Sequence, residues 1–169
     1  LVEVDNEEMP IMDGSARFFV AALDAAGIVE LDAAREYFEF RNTLTLTDAT
    51  RKSEMVLVPD DNYRLSVMID FETRILGTQY ASISDIEDFR KEISDCRTFV
   101  FLHDLEFLIN NNLIKGGDVS NAIVFVERLL SEAELDSLAK HFNKPKITVL
   151  KEGILNNLEL RFHNEPARH

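Results

Sequence analysis

The sequence has one cysteine, few basic residues and no long apolar run, and each shortage excludes a class of protein. The single Cys96 excludes an intrachain disulfide framework and fits a reducing compartment, so we expect a cytoplasmic protein. Lysine and arginine number 18 against 31 acidic residues. The resulting net charge of −13 argues against a nucleic-acid or anionic-membrane partner, because phosphates are repelled. No apolar run approaches the roughly 20 residues that cross a bilayer, and no signal peptide is visible.

The order of the periodic segments predicts an α+β fold. Apolar residues make up 46% of the 169 residues, which is enough for the core of one ordinary domain or two small ones. Strands come first, two helices follow and strands end the chain, so we expect a layered β-α-α-β sandwich of a sheet and two helices. Alternation and β-rich composition predict strands at 1–5, 37–47, 55–58, 65–71, 122–126, 147–150 and 158–162.

The helices are predicted from apolar spacing and from the residues at their ends. The segment 18–26 carries an apolar face and is followed by Gly27, a residue typical of helix C-termini. A second short helix is predicted around 105–109. Two capping boxes, in which a serine precedes a glutamate by three residues, predict further helix starts at Ser84 with Glu87 and at Ser131 with Glu134.

Three stretches of the chain share their order and spacing with one enzyme family. They are Val2-Glu3-Val4-Asp5 with Met9 to Ala16; Arg97-Thr98-Phe99 with Glu106, Gly116-Gly117 and Asn121 to Val124; and Leu160-Arg161-Phe162 with Glu165 and Arg168-His169. One such motif is weak, but the three together resemble the UDP-3-O-acyl-N-acetylglucosamine deacetylases (LpxC), zinc enzymes of lipid A synthesis. The resemblance covers nearly all of the chain.

The resemblance implies a division of the chain and a set of partners. Residues 1–32 would be the C-terminal part of a first deacetylase domain, and 33–169 a second domain truncated at His169. An insert at about 101–126 would enclose the substrate's acyl chain. An extra helical insertion at about 127–157 looks like the forms fused to a 3-hydroxyacyl-carrier-protein dehydratase. The implied substrate is an acylated UDP-amino sugar, and the implied cofactor is one Zn²⁺.

His169 is the candidate zinc ligand, by resemblance to the family's terminal motif. The family's other ligands and its glutamate base would lie before Leu1 and after His169, so we expect the chain alone to be inactive and to bind zinc poorly. By itself, a terminal histidine is more often a surface residue. The remaining histidines, His103, His141 and His163, have no metal-ligand spacing and are interpreted as surface or structural residues.

Thr98 is the candidate catalytic residue, because the Arg97-Thr98-Phe99 context singles it out. Amide hydrolysis passes through a tetrahedral oxyanion, which a hydroxyl donor beside the zinc would stabilise. The alternative is an ordinary strand threonine.

Four apolar residues, Phe99, Leu105, Ile114 and Ala122, are the candidate substrate-binding residues. An acyl passage would bury methylenes at about 0.8 kcal/mol each and so provide much of the affinity. The alternative for Leu105, Ile114 and Ala122 is a small satellite core, which the sequence by itself favours, and the alternative for Phe99 is an ordinary core residue. Lys115 departs from an apolar lining and is expected to face solvent.

A second class of function stays open from the residues. An acidic α+β module with an apolar groove could bind a partner without catalysis. This alternative would explain the missing metal ligands without assuming that the chain is truncated. The sequence gives no indication of oligomeric state or of acyl-chain length.

Overall fold

Short helices and strands make up this chain, as seen in a computed structural model that describes residues 1–111, 113–114, 116–149, 153–156 and 159–169. In chain order the elements are α1 (Arg17–Ala26), β1 (Leu44–Asp48), β2 (Ser53–Leu57), β3 (Leu65–Asp70), β4 (Thr78–Ile83), a 3₁₀ helix (Ile86–Asp88), a π-helical turn (Phe89–Ile93), β5 (Phe99–Phe101), α2 (Leu102–Asn110), β6 (Ile123–Val126), α3 (Glu132–His141), β7 (Gly153–Ile154) and α4 (Glu165–Arg168). The mixture of helices with antiparallel and parallel strand pairs confirms the predicted α+β class.

The strands form two hairpins and one small mixed sheet. In the first hairpin β1 runs antiparallel to β2, and in the second β3 runs antiparallel to β4. The third sheet has the order β5-β6-β7, with β6 parallel to β5 and antiparallel to β7. Because parallel neighbours need a crossover, α2 follows β5 directly and returns the chain to β6.

Strand β6 contributes to both of the hydrophobic clusters found among the described residues. Its four side chains are all buried, and successive side chains of a strand point to opposite faces. Ile123 and Phe125 pack with Leu76 on one face. On the other face Val124 and Val126 join a larger cluster that contains Leu102, Leu105, Val119, Ala139, Ile147 and Leu155. The buried strand predicted at 122–126 is therefore confirmed.

Four of the predicted strands are wrong in whole or in part. In the described part of the strand predicted at 147–150, Val149 forms a single isolated bridge with Leu155 and no strand. Residues 1–5 form no strand, although they alternate, because all five are exposed and no described strand pairs with them. The strand predicted over 37–47 begins only at Leu44. The described part of the last predicted strand, 159–162, is a bend that leads into α4, where the Glu165 N–H donates to the Phe162 carbonyl. Lys115 and Leu158 lie outside the described residues.

The two predicted capping boxes have different outcomes. The Ser131 hydroxyl accepts from the Glu134 N–H and the Glu134 carboxylate accepts from the Ser131 N–H, so the box at the start of α3 is confirmed. The box at Ser84 is wrong: the carboxylate of Asp85 accepts from the Glu87 N–H at 2.9 Å. Aspartate is as good a cap as serine, and here it sits one residue closer to the helix.

The described helices are short. None of them is long and apolar enough to cross a membrane.

Candidate active site

A cavity of about 640 Å³, the front cavity, lies between the loop that precedes α1, the start of β5 and the end of α4. Its walls come from four separate parts of the chain: Asn6 to Ile11 with Gly14, Ser15 and Phe19; Thr98; Leu113, Ile114, Gly116 and Gly117; and His169. The cavity therefore brings together residues from all three stretches on which the family resemblance rests.

Thr98 lines the front cavity from a backbone that is held on both sides. Its N–H donates to the Gly14 carbonyl at 2.7 Å, and its own carbonyl accepts from the Ile123 N–H at 2.9 Å. Gly14 has a φ of +84°, and a Cβ at this position would lie 2.0 Å from the Asn121 carbonyl oxygen. Only glycine allows this close approach of the loop to β5 and β6, so Gly14 fixes one wall of the cavity.

His169 lines the same cavity at the end of α4. Its N–H donates to the Glu165 carbonyl at 3.0 Å, which places the residue one helical turn after the start of α4. Its ring meets the ring of Phe99 edge to face, with 6.5 Å between the centroids. His169 is an exposed residue, and it lines the same cavity as Thr98.

A buried ion pair joins the segments that carry these two residues. Glu165 is 0% exposed, and its Oε1 accepts from the backbone N–H of Arg97 at 2.8 Å and from Arg97 Nε at 2.9 Å. Its Oε2 accepts from Arg97 Nη2 at 3.1 Å and from the Arg161 N–H at 2.8 Å. Burial raises the pKa of the Glu165 carboxyl, but the hydrogen bonds from Arg97 and Arg161 outweigh it and hold that pKa below its ordinary value.

Two further ion pairs surround the terminal segment. Arg161 donates to Asp13 Oδ2 at 2.7 Å, and Arg168 donates to Glu92 Oε2 at 2.7 Å. Burial raises the pKa of Asp13, but the hydrogen bonds from Arg161 and Ser15 lower it by a larger amount. The pKa of Asp13 is therefore below its ordinary value. The hydrogen bond from Arg168 lowers the pKa of Glu92. The first pair holds the bend before α4 to the loop before α1, and the second holds α4 to the π-helical turn.

The four predicted substrate-binding residues lie in different surroundings in the structure. Ile114 lines the front cavity, and a Cβ on Gly117 would approach its Cγ2 to 3.1 Å. Phe99 is partly buried among Phe71, Phe101 and Phe125, next to the His169 ring. Leu105 is 5% exposed and lies in the larger buried cluster, against which Ile114 packs. Ala122 is partly buried just before β6 and is not among the residues that line the cavity.

The potential metal ligands of the described residues do not form a complete site. No group of three or more His, Cys, Asp or Glu side chains among the residues that the structure describes could hold a metal ion. Cys96 is buried, and burial raises the pKa of its thiol to about 11, so it is protonated at neutral pH. His103 stacks on Phe101, and His141 packs edge to face on Phe142. His169 is thus the one histidine of the described chain that reaches the front cavity.

A model of a known protein family matches this chain. Its description is "LpxC: UDP-3-O-acyl N-acetylglycosamine deacetylase", and it matches residues 1–147. The chain belongs to this deacetylase family. The family resemblance drawn from the three motifs is therefore confirmed.

Individual relatives of this LpxC-family chain carry two kinds of name. A protein of Porphyromonas gingivalis named bifunctional enzyme LpxC/FabZ is 38% identical over 169 residues, which is 100% of this chain and 37% of the relative. Its counterpart in Chlorobaculum tepidum is 39% identical over 171 residues, covering 99% of this chain and 37% of the relative. A protein of Syntrophotalea carbinolica named UDP-3-O-acyl-N-acetylglucosamine deacetylase is 34% identical, covering 99% of this chain and 46% of the relative. The chain therefore spans less than half the length of these relatives.

Sequence reasoning missed the roles of Arg97, Glu165 and Gly14 in the LpxC-family site. All three lie within the motifs that carry the resemblance, but there they served only as context. Opposite charges in two separated motifs were the available signal for the Arg97–Glu165 pair. Only the tertiary contact shows that these two residues, and not other charges of the chain, are partners.

Proposed function

We propose that this chain supplies part of the active site of a zinc-dependent deacetylase. The substrate is a UDP-3-O-acyl-N-acetylglucosamine, and hydrolysis of its acetamide releases acetate and a free amino sugar in lipid A synthesis. The observation that carries this proposal is the front cavity, because Thr98 and His169, far apart in the sequence, both line it. The division at about residue 32 and a dehydratase fused after the deacetylase, as in the names of two relatives, belong to the same proposal.

His169 is the residue of this chain that would hold the zinc ion. A neutral imidazole suits Zn²⁺, and His169 is an exposed residue that lines the cavity. The donor chemistry fits, although a catalytic site needs three protein ligands and the described residues offer this one. When bound, zinc supplies a bound water of lowered pKa and polarises the acetyl carbonyl.

Thr98 is the residue of this chain that would stabilise the oxyanion. A donor contributes most when it is held in place before the reaction, since no reorganisation is then needed. The two backbone hydrogen bonds of Thr98, to Gly14 and from Ile123, provide this rigidity. Its side chain meets Gly14 through the methyl group, 3.3 Å from the position of a Cβ there. The threonine methyl thus lies against the loop, and in the proposed role the hydroxyl would face the substrate.

Ile114 and Leu105 belong to the proposed acyl passage in different roles. Ile114 lies on the cavity wall and packs against the buried cluster that contains Leu105. An acyl chain that enters the cavity would meet Ile114 first and would reach Leu105 only by moving into that cluster. Phe99 and Ala122 lie on the segments at either end of this region and stay proposed substrate-binding residues.

The oxyanion role is tested by removing the Thr98 hydroxyl in a complete deacetylase that carries this chain. Thr98→Ala should lower kcat by roughly 10- to 1,000-fold with unchanged zinc content, and Thr98→Ser should retain much of the rate. Thr45→Ala is the matched control, because Thr45 is an exposed threonine on β1. A wild-type kcat in Thr98→Ala would leave Thr98 as a structural residue.

The acyl passage is tested by a charge that must be desolvated when the chain enters. Ile114→Asp and Leu105→Asp should each raise KM for a long-acyl substrate while zinc stays bound. A short-acyl substrate should be much less affected, and it controls for misfolding, which harms both substrates alike. Equal losses on both substrates would contradict the passage and favour a satellite core.

A further inference from the structure

The Arg97–Glu165 pair differs from the other ion pairs of the described residues in its burial and in the number of its hydrogen bonds. The Glu165 side chain is 0% exposed and the Arg97 side chain 9% exposed. The two carboxylate oxygens accept four hydrogen bonds, three from Arg97 and one from the Arg161 N–H. Arg97 Nη2 also donates to the Glu159 carbonyl at 2.7 Å. The guanidinium, the carboxylate and two backbone amides thus form one closed unit.

This unit lies on the shortest path between the two proposed functional residues. Arg97 directly precedes Thr98, and Glu165 begins the single helical turn that ends at His169. The two functional residues are therefore separated by one peptide unit, one ion pair and one turn of helix. The pair of Arg161 with Asp13 holds the bend before α4, and the pair of Arg168 with Glu92 holds α4 itself. Arg161 Nη1 also donates to the Asp95 carbonyl at 2.7 Å, but neither of these ion pairs includes a residue adjacent to Thr98.

We propose that Arg97 and Glu165 are a positioning pair that fixes His169 relative to Thr98 across the front cavity. A forked Arg–carboxylate contact fixes direction as well as distance, because two parallel N–H···O bonds resist rotation. Here the backbone N–H of Arg97 adds a third bond to the same carboxylate, so α4 can neither slide nor turn against β5. The inference rests on the proposed deacetylase function, in which both residues act on one acetyl group.

The test compares zinc affinity and steady-state rates in a complete deacetylase that carries this chain. Glu165→Gln keeps the shape of the side chain but loses the charge and presents an amide to the guanidinium. Displacements of about 1 Å cost roughly 100-fold in rate, so we expect kcat per folded molecule to fall about 100-fold with KM within threefold. Zinc affinity, measured by competition with a chelator, should weaken at least about 10-fold. Arg97→Lys, which keeps the charge but not the fork, should show an intermediate loss.

Glu134→Gln is the matched control, because Glu134 also pairs with an arginine, Arg128, at 2.7 Å but on the exposed surface of α3. It should leave kcat and zinc affinity unchanged. A folded Glu165→Gln protein with wild-type kcat and zinc affinity would overturn the positioning role, even if its melting temperature were lower. If Glu165→Gln does not fold, wild-type kcat and zinc affinity in a folded Arg97→Lys or Glu165→Asp protein would overturn the positioning role.

The two proposals fail in different ways. If the unsubstituted protein releases no acetate from the acylated UDP-sugar, the proposed function is wrong, and the zinc affinities of the variants still decide whether the pair holds His169. If the unsubstituted protein is active and the variants match it, only the positioning role is wrong.

Discussion

Strand β6 and the β1–β2 hairpin both carry apolar β-forming residues, but their surroundings are very different. β6 reads Ile-Val-Phe-Val and buries all four side chains, while β1 and β2, with Leu44, Leu46, Met55 and Val56, leave those side chains about half exposed. Apolar β-forming residues therefore predict a strand in both places without predicting what packs on it.

The largest expected effect comes from truncating a β6 side chain. Phe125 is 1% exposed and packs on Phe99 and Phe101, so Phe125→Ala should lower the free energy of unfolding by about 3–5 kcal/mol. Met55→Ala on the hairpin, where the side chain is 56% exposed, should change it by less than about 0.5 kcal/mol. Urea unfolding of both variants measures the difference. Similar losses would mean that the hairpin is buried as deeply as β6.

A second comparison separates close contact from backbone conformation. Gly14 and Gly27 share a φ of +84°, but a Cβ on Gly14 would meet the Asn121 carbonyl while a Cβ on Gly27 would meet nothing within 4 Å. Both alanine variants carry the cost of the left-handed backbone, and Gly14→Ala adds an overpacking cost of about 1–3 kcal/mol. The melting temperature of Gly14→Ala, measured by thermal unfolding, should therefore be well below that of Gly27→Ala. Equal stabilities would show that the loop before α1 does not lie against β6 as described.

A smaller effect is expected at the helix caps. Ser131→Ala removes the hydroxyl that accepts from the Glu134 N–H, and it should cost about 1 kcal/mol of stability. Ser84→Ala should cost little, because Asp85 holds the corresponding cap. Denaturant unfolding of the two variants provides the measurement. A loss at Ser84 as large as that at Ser131 would indicate that the capping box predicted from the sequence forms after all.

The last comparison, which is clearest at low pH, concerns a buried and an exposed carboxylate. The pKa of Glu165 is lower in the folded chain than the ordinary 4.5, so its ionisation stabilises the fold above pH 4.5. That stabilisation should be lost as the pH falls through the lowered folded-state pKa. In a plot of the free energy of unfolding against pH, this loss is the acid limb, the fall in stability at low pH. Glu165→Gln should make the acid limb less steep.

Asp24 is the exposed counterpart, because its hydrogen bond from Arg90 also lowers its pKa. Its contribution should be small and should disappear in about 1 M salt, which screens exposed pairs more than buried ones. Stability curves of Asp24→Asn and Glu165→Gln at two salt concentrations test this. A salt-sensitive acid limb for Glu165 would contradict its burial.

Local patterns predicted those elements whose ends and partners are near in sequence. Helix α1 with Gly27, helix α3 with its Ser131 cap, and the buried β6 strand all follow from periods and caps that act within a few residues. The strand predicted at 1–5 was wrong because alternating residues only make a segment suitable for a sheet. A strand forms when a second strand pairs with it, and no described strand pairs with residues 1–5. Strand β4 was not predicted, because its inward residues include the small Ala81 and its pattern is weak.

The sequence by itself determined the family of this chain, its α+β class and two of the residues, Thr98 and His169, that line one cavity. It did so because motifs in a fixed order carry that information without coordinates. Only the tertiary structure decided that Glu165 pairs with Arg97 and that Gly14 lies against Asn121. It also decided that Leu105 is in a core while Ile114 is on the cavity wall. These are contacts between segments far apart in the chain. Their energies depend on burial and on distances of a few ångströms, which no local pattern encodes.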